Sequence, residues 1–241
     1  METEQADSIV KFLALMDELG ERQMFRGQGN ALWPVIPSLA RKVNQFKDCG
    51  WAFGEWNEVE EHLLDEFKRL SSPWIAYSPA DKLDWLVLAQ HHGLPTVLLD
   101  MTTNPLKALF FAVENPDHDE FDGVVYGFDP ILGWYQSTSH IKDLEEDHIC
   151  FYPNHINPRL VSQEACFIAF KKPEEMRDFT PLTKIDERND DPNSWLDEIV
   201  IPKSAKPRLR IELAKLGITH QTLFPGLDGI ATTIRRNFKW K

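Results

Sequence analysis

The chain has 241 residues, of which 42% are hydrophobic and 27% are charged, a composition typical of a globular protein and not of a disordered one. Its 38 acidic and 26 basic residues give a net charge of −12, which argues against extended binding to nucleic acid or to an anionic membrane. No apolar stretch approaches the roughly 18 residues that a membrane span needs, and the N-terminus has no signal-peptide pattern. We therefore expect a cytoplasmic protein that does not bind a membrane.

Four helices and two strands are predicted in the first half of the chain. The first helix has Asp7 as its cap and Gly20 after its end. Alternating apolar and polar residues over 23–29 predict a strand that enters a tight loop. The remaining predicted elements are helices over 51–70 and 80–92, a buried strand over 97–99, and a helix capped by Asn104 that starts at Pro105.

Strands dominate the second half. They are predicted over 123–128, 165–170 and 198–202, with a long polar loop containing a little helix over 136–160 and a helix over 204–217 closed by Gly217. A connector and a short helix follow up to residue 230, and the basic tail that begins at Arg235 is expected to fray. The pattern predicts an α+β fold with a mixed sheet. We divide the chain into an N-terminal helix over 1–20, one domain over 21–235 and a basic tail over 236–241.

The cysteines and the paired histidines argue against a metal. Cys49, Cys150 and Cys166 include no C-x-x-C pair, so a disulfide scaffold or a structural zinc site is not expected. His91 and His92 are adjacent, and adjacent side chains point in different directions on a helix or a strand. Since no third ligand stands at a suitable spacing, we expect no metal site.

Arg26 is the first candidate for a binding residue. It ends a predicted strand beside Gly27, where a guanidinium can bind a phosphate or carboxylate in bidentate geometry while the glycine lets the ligand approach the backbone. An ion pair between Arg26 and a neighbouring acid is an equally good interpretation of the sequence.

Polar residues also flank the predicted strand over 97–99. His91, His92 and Thr96 precede it, and Asp100 and Thr102 follow it. Polar groups held at strand ends commonly build binding sites. The alternative is that Asp100 or Thr102 only caps the helix that follows.

Gln163 and Glu164 directly precede the predicted strand over 165–170. Strand alternation would direct one of them toward a cleft and the other toward solvent. A carboxylate or amide at that position can hold a ribose hydroxyl. From spacing alone, an ordinary strand start is the simpler interpretation.

These motifs together resemble a known family. The segments concerned are residues 25–28, 33–41, 90–96, 98–112, 159–167 and 213–230. Their order and spacing, from about residue 20 to 235, resemble the FRG domain family, named for the Phe-Arg-Gly motif found here as Phe25-Arg26-Gly27. Val97, Met101 and Gly226 depart from the family, which often has arginine, tryptophan and aspartate at these positions.

The order of the motifs is also similar to the arginine-serine-glutamate layout of ADP-ribosyltransferases. This resemblance implies an ADP-ribosyltransferase-like fold and NAD as substrate, in a toxin or antiphage-defence protein that modifies a macromolecular acceptor. Arg26 would hold the NAD phosphates or ribose, and Thr96 or Thr102 would line the nicotinamide side. Gln163 or Glu164 would bind the ribose hydroxyl and stabilise the oxocarbenium-like transition state.

The ligand-binding set expected from these motifs is Phe25, Gly27, Gln28, His91, His92, Thr96, Asp100 and Thr102, with Asp100 and Glu114 as reserve carboxylates. Two other functions remain open. The first is a non-catalytic module that binds a nucleotide or a partner through Arg26, His91 and Asp100. The second is a metal-independent nuclease, in which His91 or His92 is the general acid–base and Arg26 binds the phosphate.

Overall fold

The computed structural model describes residues 4–20, 22–42, 53–75, 79–130, 148–154, 157–184 and 194–237. The helices are α1 (Ile9–Glu18), α2 (Trp56–Ser71), α3 (Lys82–His91), α4 (Pro105–Val113), α5 (Pro158–Gln163), α6 (Lys206–Lys215), α7 (His220–Leu223) and α8 (Leu227–Asn237). The strands are β1 (Met24–Gln28), β2 (Leu98–Thr102), β3 (Gly123–Phe128), β4 (Ile149–Phe151), β5 (Ala165–Ala169), β6 (Thr183–Lys184) and β7 (Ser194–Ile201). The predicted α+β fold is confirmed.

One sheet organises the fold, with the strand order β4-β5-β2-β1-β3-β7-β6. Neighbouring strands are antiparallel, except that β6 is parallel to β7. Strands β1 and β3 pair along the whole of β1, from Met24 to Gln28. In contrast, the pairing of β1 with β2 joins Phe25 to Thr102 alone. The sheet therefore separates between β1 and β2 beyond this pair.

Two hydrophobic cores cover the two faces of the sheet. Successive strand residues point to opposite faces, and Met24 and Phe25 accordingly belong to different cores. Helices α2 and α3 contribute to the core that contains Met24, whereas α1, α4 and α6 contribute to the core that contains Phe25. Trp56 of α2 and Phe12 of α1 are among the largest buried side chains of the two cores.

Several predicted boundaries change in the structure. Ser8, and not Asp7, caps α1, because the extended backbone of Ser8 brings its hydroxyl to the Lys11 amide. The polar stretch over 136–160 contains β4 and α5 in its described part, while residues 131–147 lie outside the described residues. The basic tail does not fray at Arg235, since α8 continues to Asn237; residues 238–241 are outside the description. Within the described ranges, no helix is long and apolar enough to cross a membrane.

Candidate functional site

The Phe-Arg-Gly motif lies on β1, where alternation gives its three residues different environments. Phe25 is buried in the core beside α4. Gly27 faces the same helix so closely that a Cβ atom would lie 1.8 Å from the Ala108 carbonyl oxygen and 2.7 Å from the Ala112 nitrogen. Only glycine lets the strand and the helix backbone approach this far. Phe25 and Gly27 therefore pack against α4, and both also line a cleft that opens between β1 and β2. The Arg26 side chain leaves the strand on the opposite face.

The Arg26 guanidinium bridges the gap between the separated strands. Its Nη1 donates a hydrogen bond to the Asp100 carbonyl oxygen at 2.5 Å, and its Nε donates to Gln28 Oε1 at 3.3 Å. Burial lowers the pKa of Arg26 to about 10, although the Asp100 charge raises it. Arg26 is thus still a cation at neutral pH. Within the described residues it forms no ion pair with a carboxylate, so the ion-pair interpretation left open by the sequence is not observed.

A cleft of about 580 Å³ opens where β1 and β2 separate, and two more arginines line it. Arg41 comes from the connector after β1, and Arg159 comes from the first turn of α5. The Arg159 guanidinium lies 4.7 Å from the centre of the Phe224 ring, and burial lowers the pKa of Arg159. Neither arginine forms an ion pair with a carboxylate in the part of the chain that is described.

A chain of hydrogen bonds holds Asp100 at the cleft. Its Oδ1 accepts from Gln90 Nε2 at 2.7 Å, and Gln90 Oε1 in turn accepts from the Thr96 hydroxyl. Thr96 is buried and does not line the cleft. Its hydroxyl therefore orients Gln90 and, through Gln90, the Asp100 carboxylate.

The two histidines have different positions. His91 lines the cleft, while His92 is exposed outside it, with its ring 6.3 Å from that of Phe67. Burial lowers the pKa of His91, and the Arg159 and His92 charges lower it further. The His91 imidazole is consequently neutral at pH 7 and can accept a proton.

Gln163 lines the cleft and Glu164 does not. Gln163 ends α5, and Glu164 follows it with a left-handed backbone (φ 47°, ψ 50°), so a helix end, and not strand alternation, separates the two side chains. Glu164 binds Lys107 Nζ at 2.8 Å, whereas Gln163 Nε2 donates to the Leu223 carbonyl at 3.2 Å. The carboxylate expected from the arginine-serine-glutamate layout is therefore directed away from the cleft.

Thr102 lines the cleft and links two of its walls. Its hydroxyl donates to the Gln163 carbonyl at 2.7 Å and accepts from the Asn104 amide at 3.1 Å. The expected alternative, that Asp100 or Thr102 caps α4, is wrong, because Asn104 caps this helix through the Leu106 and Lys107 amides. β1, β2 and the end of α5 thus bring Arg26, Thr102 and Gln163 to one cleft.

Other residues of the cleft received no role from the sequence. The polar and aromatic ones among them are Trp33, Arg41, Gln90, Phe111, Asn115, His118, Arg159 and Phe167. Arg41 and Arg159 belong to the segments that resemble the FRG family, which was the available signal. They also supply positive charge to the cleft. The family often has an arginine at the position of Val97, which in this chain is an apolar and buried residue. Among the described residues, no three His, Cys, Asp or Glu side chains cluster as metal ligands.

In a comparison with known families, the model of the FRG domain matches residues 21–120. This range includes β1, β2 and α4, and so contains Arg26, Arg41, Asp100 and Thr102. No curated protein matches the chain. No solved structure matches it either.

Proposed function

The chain carries an FRG domain over residues 21–120, and from this premise we propose that it binds NAD, or a related phosphorylated nucleotide, in the cleft between β1 and β2. One observation carries the proposal. Arg26, Arg41 and Arg159 line one cavity, and in the described residues none of them has a carboxylate as ion-pair partner. Guanidinium groups that have no carboxylate within ion-pair distance can bind an external anion, and their planar donors match phosphate oxygens.

The dimensions and charge of the cleft suit a small ligand. Its volume of about 580 Å³ lies in the range of small-molecule sites, which is roughly 300–1,000 Å³. The net charge of −12 opposes a long polyanion. A local group of arginines in an acidic protein therefore supports a mononucleotide or dinucleotide as the ligand.

The reaction we propose is cleavage of the bond between C1′ of the nicotinamide ribose and the nicotinamide nitrogen. Nicotinamide leaves with the bonding electron pair. Water or an acceptor group then forms the new bond to C1′ and loses its proton. Positive charge develops on the ribose in the transition state, so an anionic or electron-rich oxygen nearby lowers the barrier.

Arg26, Thr102 and Gln163 support this reaction by their order, which is similar to that of the ADP-ribosyltransferase layout. Gln163 offers only an amide oxygen, and Glu164 is held by Lys107 outside the cleft. We therefore assign the charge-stabilising role to Asp100, whose carboxylate interacts with the charges of both Arg26 and Arg159. Glu114, which also lines the cleft, is the second carboxylate for this role.

Titration calorimetry with NAD tests the binding step. We expect saturable binding by the wild type and a loss of roughly tenfold or more in affinity for Arg26→Ala, because a charge-assisted pair to a phosphate is removed. Arg177→Ala is the matched control, since this arginine is exposed outside the cleft. Absence of NAD binding by folded wild-type protein, or equal losses in the two variants, would contradict the proposal.

Chromatography of nicotinamide tests the reaction step separately. Release that is lost in Arg26→Ala and Asp100→Asn, and kept in Glu164→Gln, is the expected result. The position of Glu164 outside the cleft also favours a second candidate, a non-catalytic nucleotide-binding module. NAD binding without nicotinamide release would select that candidate.

A further inference from the structure

Aromatic side chains line the same cleft as the three arginines. We infer that the Trp33 indole, with His118 packed edge-on against it, forms a platform for the planar heteroaromatic base of the nucleotide. The inference rests on the proposed nucleotide site and adds to it the part of the ligand that the arginines do not recognise. It assigns a base-binding role to residues that follow β1 and α4.

Trp33 is exposed although its backbone is firmly held. Its side chain is 42% exposed, while its amide donates to the Asn30 carbonyl at 3.2 Å and its carbonyl accepts from Gln28 Nε2 at 3.1 Å. Exposed tryptophan leaves a large apolar area in contact with water. A partly uncovered indole on a held backbone segment inside a cleft is an arrangement that a flat ligand ring can cover.

Gln28 links this aromatic group to the phosphate-binding arginine. It is buried, its Oε1 accepts from Arg26 Nε at 3.3 Å, and its Nε2 donates to the Trp33 carbonyl. One amide thus fixes the positions of Arg26 and Trp33 relative to each other. A nucleotide needs this coupling, because its phosphate and its base lie at a set distance along one molecule.

His118 is held from three sides. Its ring centre lies 4.8 Å from that of Trp33 at an angle of 88°. Its Nε2 is 3.5 Å from Asn115 Nδ2, and its Nδ1 would lie 2.7 Å from a Cβ atom on Gly29, so the ring packs directly against the Gly29 backbone. Little freedom is left for the imidazole.

A buried lysine joins the two segments beneath the platform. Lys206 is 0% exposed, and its Nζ donates to the carbonyl oxygens of Gly29 and His118 at 2.7 and 2.8 Å. The platform is therefore preorganised, which reduces the conformational entropy lost when a ligand binds. A purely anionic ligand would gain nothing from it, whereas a base stacked on an aromatic side chain gains binding energy in addition to its phosphates.

Calorimetry with two probes, NAD and inorganic pyrophosphate, tests the platform. For Trp33→Ala we expect NAD affinity to fall roughly tenfold or more, as for loss of one stacked base. Pyrophosphate affinity should stay unchanged. Trp33→Phe should keep most of the NAD affinity, which also shows that the fold tolerates replacement. Trp74→Ala is the matched control, because Trp74 is 87% exposed and does not line the cleft.

The other possible outcomes contradict the platform, and one of them also contradicts the proposed function. Unchanged NAD affinity in Trp33→Ala overturns the platform, as does an equal loss for NAD and pyrophosphate, which would mean that Trp33 only supports the arginines. Wild-type binding of pyrophosphate but not of NAD overturns the platform and leaves an anion site. If folded wild type binds neither probe, both the platform and the proposed function are overturned.

Discussion

Two groups of cations in this protein differ in how their charge is balanced. Lys82 and Lys172 both donate to Glu60 Oε2, at 2.7 and 2.8 Å, and Glu60 is only 3% exposed. The cleft arginines Arg26 and Arg159 are also partly buried, but among the described residues no carboxylate pairs with them. From this difference we infer that the Glu60 group stabilises the fold, whereas under the proposed function the arginines bind the phosphates of a ligand.

Glu60→Gln should have the largest effect on stability. It would leave two lysines without their anion, and breaking a buried ion pair typically costs about 3 kcal/mol or more of the free energy of unfolding. Urea unfolding followed by circular dichroism measures the loss. The matched control is Glu66→Gln on the same helix, whose ion pair with Arg69 is exposed and should contribute nothing measurable. Equal free energies of unfolding for Glu60→Gln and Glu66→Gln would contradict the stabilising role of the Glu60 group.

The same carboxylate should make the fold sensitive to acid. Burial raises the pKa of Glu60, but the charges and hydrogen bonds of Lys172 and Lys82 together lower it more, so the pKa in the folded state lies below the ordinary value of 4.5. The ionised carboxylate therefore stabilises the fold above about pH 4.5, and this contribution disappears as the pH falls toward the folded-state pKa. Urea midpoints between pH 6 and 3 should fall more steeply for the wild type than for Glu60→Gln. An equal fall of the urea midpoint with pH in the wild type and in Glu60→Gln would show that Glu60 does not cause the acid sensitivity.

Replacing Arg159 should change stability little and NAD affinity strongly, in contrast to the replacement of Glu60. Burial lowers the pKa of Arg159, which means that the fold disfavours its charge. Arg159→Gln should change the free energy of unfolding by less than about 1 kcal/mol, mostly through the lost contact with Phe224, and weaken NAD binding roughly tenfold. Thermal unfolding and calorimetry on one preparation measure both. A large loss of stability with unchanged affinity would place Arg159 with the structural cations.

Arg41 should show the smallest effect of the three cleft arginines. It is exposed, and its Nη2 donates to the Ile36 carbonyl at 3.3 Å. An exposed charge is screened by solvent, so Arg41→Gln should weaken NAD binding by about threefold, and added salt should reduce this difference further. Calorimetry at two salt concentrations checks both effects. A loss as great as that of Arg26→Ala would show that Arg41 closes over the ligand.

The parts of the fold that the sequence predicts well are those with local signals. Asn104 followed by Pro105 marks the start of α4, and the Asn104 side chain indeed accepts from the Leu106 and Lys107 amides. Strand β4 has no such signal, because its three residues become a strand only by pairing with β5. The cap of α5, Asn157 before Pro158, repeats the α4 pattern and was available to predict this helix.

The site residues also differ in whether local sequence signals can predict them. The importance of Arg26 is readable from its motif, whereas the exclusion of Glu164 depends on the left-handed backbone that ends α5. Arg41 and Arg159 are far apart in the sequence, and only the separation of β1 from β2 brings them to one cavity. Spacing along the chain cannot encode that separation, since it results from the packing of the sheet.

A crystal structure of the NAD complex would show whether the cleft between β1 and β2 binds the nucleotide. We expect pyrophosphate density within hydrogen-bond distance of Arg26, in the cleft between β1 and β2, with Arg41 and Arg159 turned toward the same phosphates. Density for NAD at another place on the molecule, with this cleft occupied by solvent, would contradict this expectation.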